Sequence, residues 1–436
     1  MIRVFAALTI VHALAVPASA ARGGDDAVLA LVSSGTRAEL VQLDPLSLEP
    51  IAGVPRVAVG LQDIPWAVSP DGSKIALGSG RSTSLVFVDL EAMRAVGRIG
   101  TAFMTALAWP APRRLLLLER GALRMRFVVI DPETRRVLFR RKIGVGEVVA
   151  AARTADGLAV LLAPSGRVGT PWLLVLDARG RARRVSLPRI SAGQAKEKNG
   201  ERYRVWYRSP GLAVDPEQDR AYVVTAGSQV AEVDLKTLRA SYHDIRIARA
   251  REASVASSTS EFRASDGGNI LATGTQRQAH WIGNGLIALA GWNARIARDS
   301  SGQQIQSDEP AGVSILDTRG WRSRTLTNDG RWFHATEELI LSHTRPTRRP
   351  GTALAAFAHD GAARFRLELP SVSSGIQSAG HYAYLGLADG YRSHPVTVVD
   401  TSTGSVAGNP LARGWVLLVS PTQPQFCWCY TGTTVG

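Results

Sequence analysis

From residue 27 to residue 421 the apolar positions come in short bursts, with no sustained three-to-four spacing of the kind a helix needs. One pattern recurs. Three or four apolar residues lead to an aspartate, then come about three turn residues, a basic or polar residue and further alternating apolar positions. The copies are Leu40–Asp44, Leu85–Asp89, Phe127–Asp131, Leu173–Asp177, Val230–Asp234, Val313–Asp317, Leu354–Phe357 leading to Asp360, and Val396–Asp400. Successive aspartates are 45, 42, 46, 57, 83, 43 and 40 residues apart. Most of these intervals match the repeat of roughly 40 to 50 residues found in propeller blades. Each aspartate closes a strand and can accept a bond from the backbone two residues on, which makes it a turn former rather than a catalytic acid.

A second motif precedes each aspartate strand: a short apolar strand, a turn and another apolar strand. Its clearest copy is Trp66-Ala67-Val68-Ser69-Pro70-Asp71-Gly72-Ser73-Lys74-Ile75-Ala76-Leu77. Pro presets φ for such a turn, and Gly accepts the positive φ that ends it. Each unit therefore reads as four strands. The first unit, from Ala27 to Ile51, lacks its innermost strand, while Gly414 to Pro421 reads as an innermost strand with nothing after it. Together they complete one blade and remove the open edges two half-blades would leave. The prediction is an all-β chain: one β-propeller over 21–421 with eight four-stranded blades, or seven if one unit is irregular, closed by pairing the two ends. The longest interval holds an insertion over about 247–278, which has no sustained period and reads as a loop.

The repeats resemble known families. Ser69-Pro70-Asp71-Gly72 before an apolar strand is similar to the repeats of TolB-like and WD40-like propellers. Gly211 to Pro216, Ala221 to Val224 and Val233-Asp234-Leu235 resemble the YVTN class of bacterial propeller repeats. No Trp-Asp dipeptide occurs, so true WD40 repeats are not indicated. The resemblance implies a propeller over about residues 27 to 421 and is silent on activity, since its motifs are turn and strand residues. Relatives of this kind include exported binding proteins and the large subunit of amine dehydrogenases, and a fold alone cannot choose among them.

The ends add a compartment. Arg3 followed by the apolar stretch Val4–Val16 and by Ala18-Ser19-Ala20 reads as a secretory signal over 1–20, cleaved after Ala20. No later run is long and apolar enough to span a membrane. The expectation is a secreted or extracytoplasmic protein. The only cysteines, Cys427 and Cys429, lie in an irregular tail over 422–436. They are too close in sequence for an ordinary bridge and lack neighbouring ligands for a metal.

Composition shifts attention from chemistry to charge. The 436 residues carry 51 Lys and Arg against 37 Asp and Glu, a formal charge of +14. Five of the 51 bases are lysines, so 51 − 5 = 46 are arginines, a bias of the whole chain. No nucleophile elbow, zinc-binding His-Glu-x-x-His, P-loop or dinucleotide fingerprint is present. The histidines beyond the leader (His243, His280, His334, His343, His359, His381 and His394) are scattered, and acid pairs such as Glu337-Glu338 and Asp308-Glu309 fall at turns. No metal or cofactor is implied.

The resemblance points instead to the loops around one mouth of the central channel. Segments leading into innermost strands carry Asp63, Trp66, Glu147, Trp206-Tyr207-Arg208, Arg277, Arg331-Trp332, Arg413 and Trp415. Loops between second and third strands carry Arg81, Arg167, Arg295, Arg298, Arg345, Arg348, Arg349 and Arg392. Guanidinium forks suit carboxylate or phosphate, and flanking aromatics suit sugar faces. The candidate ligand-binding set is Trp66, Arg81, Arg167, Trp206, Tyr207, Arg208, Arg331, Trp332 and Arg413. It predicts an anion-binding funnel for an acidic envelope polymer or a protein partner. Nucleic acid is the weaker fit, because a charge of +14 attracts any polyanion. The reading is a binding or scaffold module; the alternative is an enzyme subunit of the amine-dehydrogenase kind or another propeller enzyme.

Overall fold

The computed structural model describes residues 27–419 apart from 35–36, 61–64, 79–83, 121–123, 200–201, 246–261, 264–268, 299–303, 345–351, 370–374 and 388–392. Residues 1–20, read above as a signal, and residues 422–436, with both cysteines, lie outside the described residues. All regular structure described is β, with no helix.

The strands form a propeller of successive units, named I to VIII in chain order. From the channel outward, unit I contains Trp415–Leu418, Val28–Ser34, Arg37–Leu43 and Val57–Gly60. Unit II runs from Trp66–Val68 to Arg94–Gly100, unit III from Phe103–Ala111 to Arg136–Gly144, and unit IV from Glu147–Arg153 to Ala182–Ser186. Unit V runs from Gly211–Asp215 to Ala240–Asp244, unit VII from Gly330–Ala335 to Ala363–Leu369, and unit VIII from Ile376–Ala379 to Ser405–Gly408. These seven are free-standing four-stranded antiparallel blades. Unit VI is the irregular one. Its path Asn269–Gly283, Leu286–Arg298, Val313–Asp317 and Arg322–Thr327 belongs to a nine-stranded sheet.

The two chain ends meet as the repeats required. Ala30, Leu31, Val32 and Ser33 pair antiparallel with Leu418, Leu417, Val416 and Trp415. Among the described residues no strand pairing joins one four-stranded blade to the next, so packing holds the ring. An apolar cluster fills each gap, from Leu40, Trp66 and Val88 between I and II round to Tyr384, Val398 and Val416 between VIII and I. This explains the sequence pattern. Middle strands covered on both faces read as unbroken apolar runs, as in the fully buried Gly157–Ala163. Outermost strands such as Arg136–Gly144 are largely exposed and mixed.

Side chains also clamp neighbouring units through the backbone. Gln278 of unit VI donates to the Phe333 carbonyl of unit VII at 2.9 Å and accepts from the Phe333 N–H at 3.3 Å. Gln377 of unit VIII donates to the Val416 carbonyl at 3.1 Å and accepts from the Leu418 N–H at 2.6 Å, which fastens the C-terminal strand.

Every repeat aspartate does what its position implies. Asp44, Asp89, Asp131, Asp177, Asp234, Asp317, Asp360 and Asp400 each accept the N–H two residues on, at 2.8–3.1 Å. One expectation is overturned. The stretch read as a loop over about 247–278 contains part of the strand Asn269–Gly283, whose first half pairs with an inserted hairpin outside the repeat. Pairing between distant segments leaves no local period, so the pattern could not reveal it.

Candidate binding site at the channel face

Antiparallel topology sorts the connections by end. Turns within each pair of strands one-two and three-four, including the aspartate turns, lie at one end of the ring. Connections from strand two to three, and from one unit to the next, lie at the other. At that second end the hairpin Ala192–Asn199 and Arg202–Ser209 is inserted between units IV and V. Its second strand pairs in parallel with the start of Asn269–Gly283, setting Trp206 opposite Thr273, Tyr207 opposite Gly274 and Arg208 opposite Thr275. Leu286–Arg298 and Gln304–Pro310 extend the sheet on the other side.

Partners directly across a sheet share a face, and alternate residues along a strand do too. Trp206, Arg208, Thr273, Thr275 and Arg277 therefore lie on one face, with Asn293 opposite Thr275. Tyr207 and Trp292 lie on the other. A glycine is needed at 274, because a Cβ there would sit 2.8 Å from the Tyr207 ring. Trp292 carries the surface to unit VII, its ring 4.1 Å from that of Trp332.

Arg277 is the electrostatic centre of this sheet. It is 7% exposed. Its guanidinium donates to the carbonyls of Gln276 at 2.7 Å, Trp292 at 3.1 Å and Ala226 of unit V at 3.4 Å, and to Asn293 Oδ1 at 3.0 Å. All four acceptors are neutral, and no described carboxylate pairs with it. Burial pushes its pKa down to about 10, with Tyr207 opposing, so it stays charged at neutral pH. The Gln276 side-chain oxygen beside it is buried without a partner among the described residues. Arg208 is half-buried and has no described ion-pair partner. Glu309, opposite Asn293, is held by Arg295 at 3.1 Å.

Further into the ring the same strand carries His280, and unit VII carries His334. Both residues are half-buried. Burial pushes His280 down, and His359 adds to the effect. Burial pushes His334 down to about 4, with a contribution from His280. His334 Nε2 lies 2.5 Å from Ser378 Oγ of unit VIII. No group of three His, Cys, Asp or Glu side chains is placed to hold a metal among the described residues.

The structure brings together part of the set expected from the sequence. Trp206, Tyr207 and Arg208 lie on the inserted hairpin, and Trp332 joins them through Trp292, with Arg331 adjacent in the chain. Arg167 is exposed where the short edge strand Val168–Gly169 joins the same sheet. Trp66 is 2% exposed and packs in the cluster between units I and II, so it is a core residue. Arg413 pairs with Glu49 at 3.1 Å, across the ring from the inserted sheet. Asp63, Arg81, Arg345, Arg348, Arg349 and Arg392, and the side chain of Arg298, lie outside the described residues. Trp292 and Asn293 were not among the candidates, and only the pairing of Leu286–Arg298 with Asn269–Gly283 connects them to Arg277.

No family model and no curated protein sequence matches this chain. Solved structures do. A dihydro-heme d1 dehydrogenase, NirN, in complex with DHE is similar at a TM-score of 0.56 and 15% identity, over 92% of this chain and 76% of that one. Apo AztD from Citrobacter koseri is similar at 0.52 and 11% identity, over 90% of this chain and 98% of that one. Both are β-propeller proteins, and at these identities the likeness establishes the fold. No described helix is long and apolar enough to cross a membrane.

Proposed function

We propose that this chain is an exported propeller that binds an anionic ligand where the inserted sheet overhangs units V to VII. The observation that carries the reading is Arg277: a charged guanidinium, buried and, among the described residues, bonded only to neutral acceptors, on the same sheet face as Arg208, which has no ion-pair partner among the described residues. An uncompensated cation in a low-dielectric setting keeps its field, and that field favours an anion at the adjoining surface. Arg277 spends its donors on the sheet and acts through charge. Arg208, with no ion-pair partner among the described residues, can fork a carboxylate, and Trp206 offers a flat apolar surface beside it. An acidic saccharide from the cell envelope has both features. The signal-like pattern of residues 1–20 supports placement outside the cytoplasm.

Calorimetry with a uronic-acid trisaccharide, trigalacturonate, and with neutral maltotriose tests this. Trigalacturonate binds and maltotriose does not. Arg208→Gln, a half-buried change that leaves the sheet paired, weakens binding about tenfold, the loss of one charge-assisted fork. Absence of binding, or equal affinity in the variant, refutes the site.

A further inference from the structure

We propose that the outermost strand of unit III is a docking edge for an extended acidic segment of another protein, which adds to the blade as a fifth strand. The strand Arg136–Gly144 is nine residues long, whereas outermost strands elsewhere run from four to seven. It lies at the end of its sheet, so one row of its backbone N–H and C=O groups is unpaired by any described strand.

Its side chains set it apart from the other free edges. Seven large apolar residues are exposed among those described, and four of them belong to this strand or its continuation: Val137, Leu138, Phe139 and Val145. Between and beside them stand Arg136, Arg140, Arg141 and Lys142, none ion-paired among the described residues. The carboxylates of the same unit are already engaged, Glu119 by Arg126 and both Asp131 and Glu133 by Arg113. Leu138 is the extra residue of a bulge, after which Phe139 to Lys142 continue in regular register with Val129 to Arg126. The edge thus combines open hydrogen-bonding groups, apolar surface and uncompensated positive charge.

These features choose among occupants. A second copy of this chain pairing antiparallel through the same edge would set Arg136, Arg140, Arg141 and Lys142 against one another, and opposed like charges destabilise strand pairs. A lipid surface would leave the free backbone groups unsatisfied in hydrocarbon. An extended segment with alternating acidic and apolar residues satisfies the backbone row, covers Leu138 and neutralises the cations, which is the logic of recognition by strand addition.

The test uses the mature chain and a fluorescein-labelled peptide of alternating residues, Glu-Val-Glu-Val-Glu-Val-Glu-Thr. Anisotropy reports binding, and hydrogen exchange reports slowed amides within 136–144. A peptide of the same sequence N-methylated at alternate positions keeps the charge but cannot form the ladder, and it fails to bind. The double variant Arg140→Glu, Lys142→Glu binds about tenfold more weakly at unchanged melting temperature, since both positions are exposed. Equal binding of the methylated peptide, unchanged exchange over 136–144, or binding only to vesicles of equal parts phosphatidylcholine and phosphatidylglycerol overturns the proposal.

Discussion

Replacing Asp131 isolates what one repeat aspartate contributes. Its side chain is 4% exposed. Oδ1 accepts the N–H groups of Glu133 at 3.0 Å and Thr134 at 3.4 Å, and Oδ2 accepts from Arg113 Nη2 at 2.7 Å and Nε at 3.2 Å. Asp131→Ala removes all four bonds at once. The two N–H groups lie at a surface turn where water can replace the carboxylate, so each costs about 1 kcal/mol. The Arg113 pair adds little, because Arg113 is mostly exposed and solvent screens it. The two turn bonds together come to about 2 kcal/mol at pH 7, read from the midpoint of urea unfolding. Asp131→Asn retains an acceptor for the turn and loses the charge, so it costs less than the alanine change. Burial pushes the Asp131 carboxyl upward, but Arg113 and the turn N–H groups outweigh it and hold the pKa below the usual carboxylate range. The stabilisation is therefore complete above the ordinary carboxylate pKa and is lost as pH falls through the lower folded value. Wild type and Asp131→Asn should converge as pH falls through that lowered folded pKa. An alanine variant within about 0.5 kcal/mol of wild type at pH 7, or an asparagine penalty unchanged in acid, refutes this account of the repeat.

Three further changes probe the ring. Gln278→Ala removes both bonds to Phe333 and should lower stability by about 1–2 kcal/mol in denaturant titration, with Gln278→Glu keeping only the accepted bond and falling between. Gly211→Val should cost about 1–3 kcal/mol by overpacking, since a Cβ at 211 would meet the Ala279 backbone nitrogen at 2.7 Å and wedge units V and VI apart; a melting temperature equal to wild type would contradict that close approach. His334 has a depressed folded pKa of about 4, so the unfolded chain takes up its proton first and this group lowers stability as pH falls from about 6.5 to about 4. His334→Gln should flatten that part of the melting profile, and an unchanged profile would show that His334 is not enclosed.

The sequence was legible where physics acts locally. A turn aspartate and the N–H it binds are two residues apart, so Asp44 through Asp400 could be assigned from the chain alone. The meeting of Val28–Ser34 with Trp415–Leu418 was legible because a missing inner strand and a spare one leave a single economical pairing. The inserted sheet was hidden for the opposite reason. Lys196-Glu197-Lys198 and Arg202 to Arg204 carry no apolar period, and the parallel partner of Arg202–Ser209 lies 67 residues further on, Tyr203 pairing with Ile270. Trp66 misled because an aromatic before an inner strand serves a ligand surface or an inter-unit core equally well, and only packing against Leu40 and Val88 decides. Arg277 was recognised as basic. Its isolation from carboxylates is a property of three dimensions.

The shared sheet of unit I also sets an order of events. On the ribosome Val28–Ser34 is made well before its inner neighbour Trp415–Leu418, with units II to VIII synthesised between them. Until then the nascent chain holds a gap between units VIII and I, with the Ala30 to Ser33 backbone row open to a wrong partner. A premature stop just before residue 415 would thus be as damaging as a deletion near the beginning. By the same token, linking residue 419 to residue 27 and opening the chain between two blades, as at 145–146 between units III and IV, should give a circular permutant whose first and last blades both emerge whole.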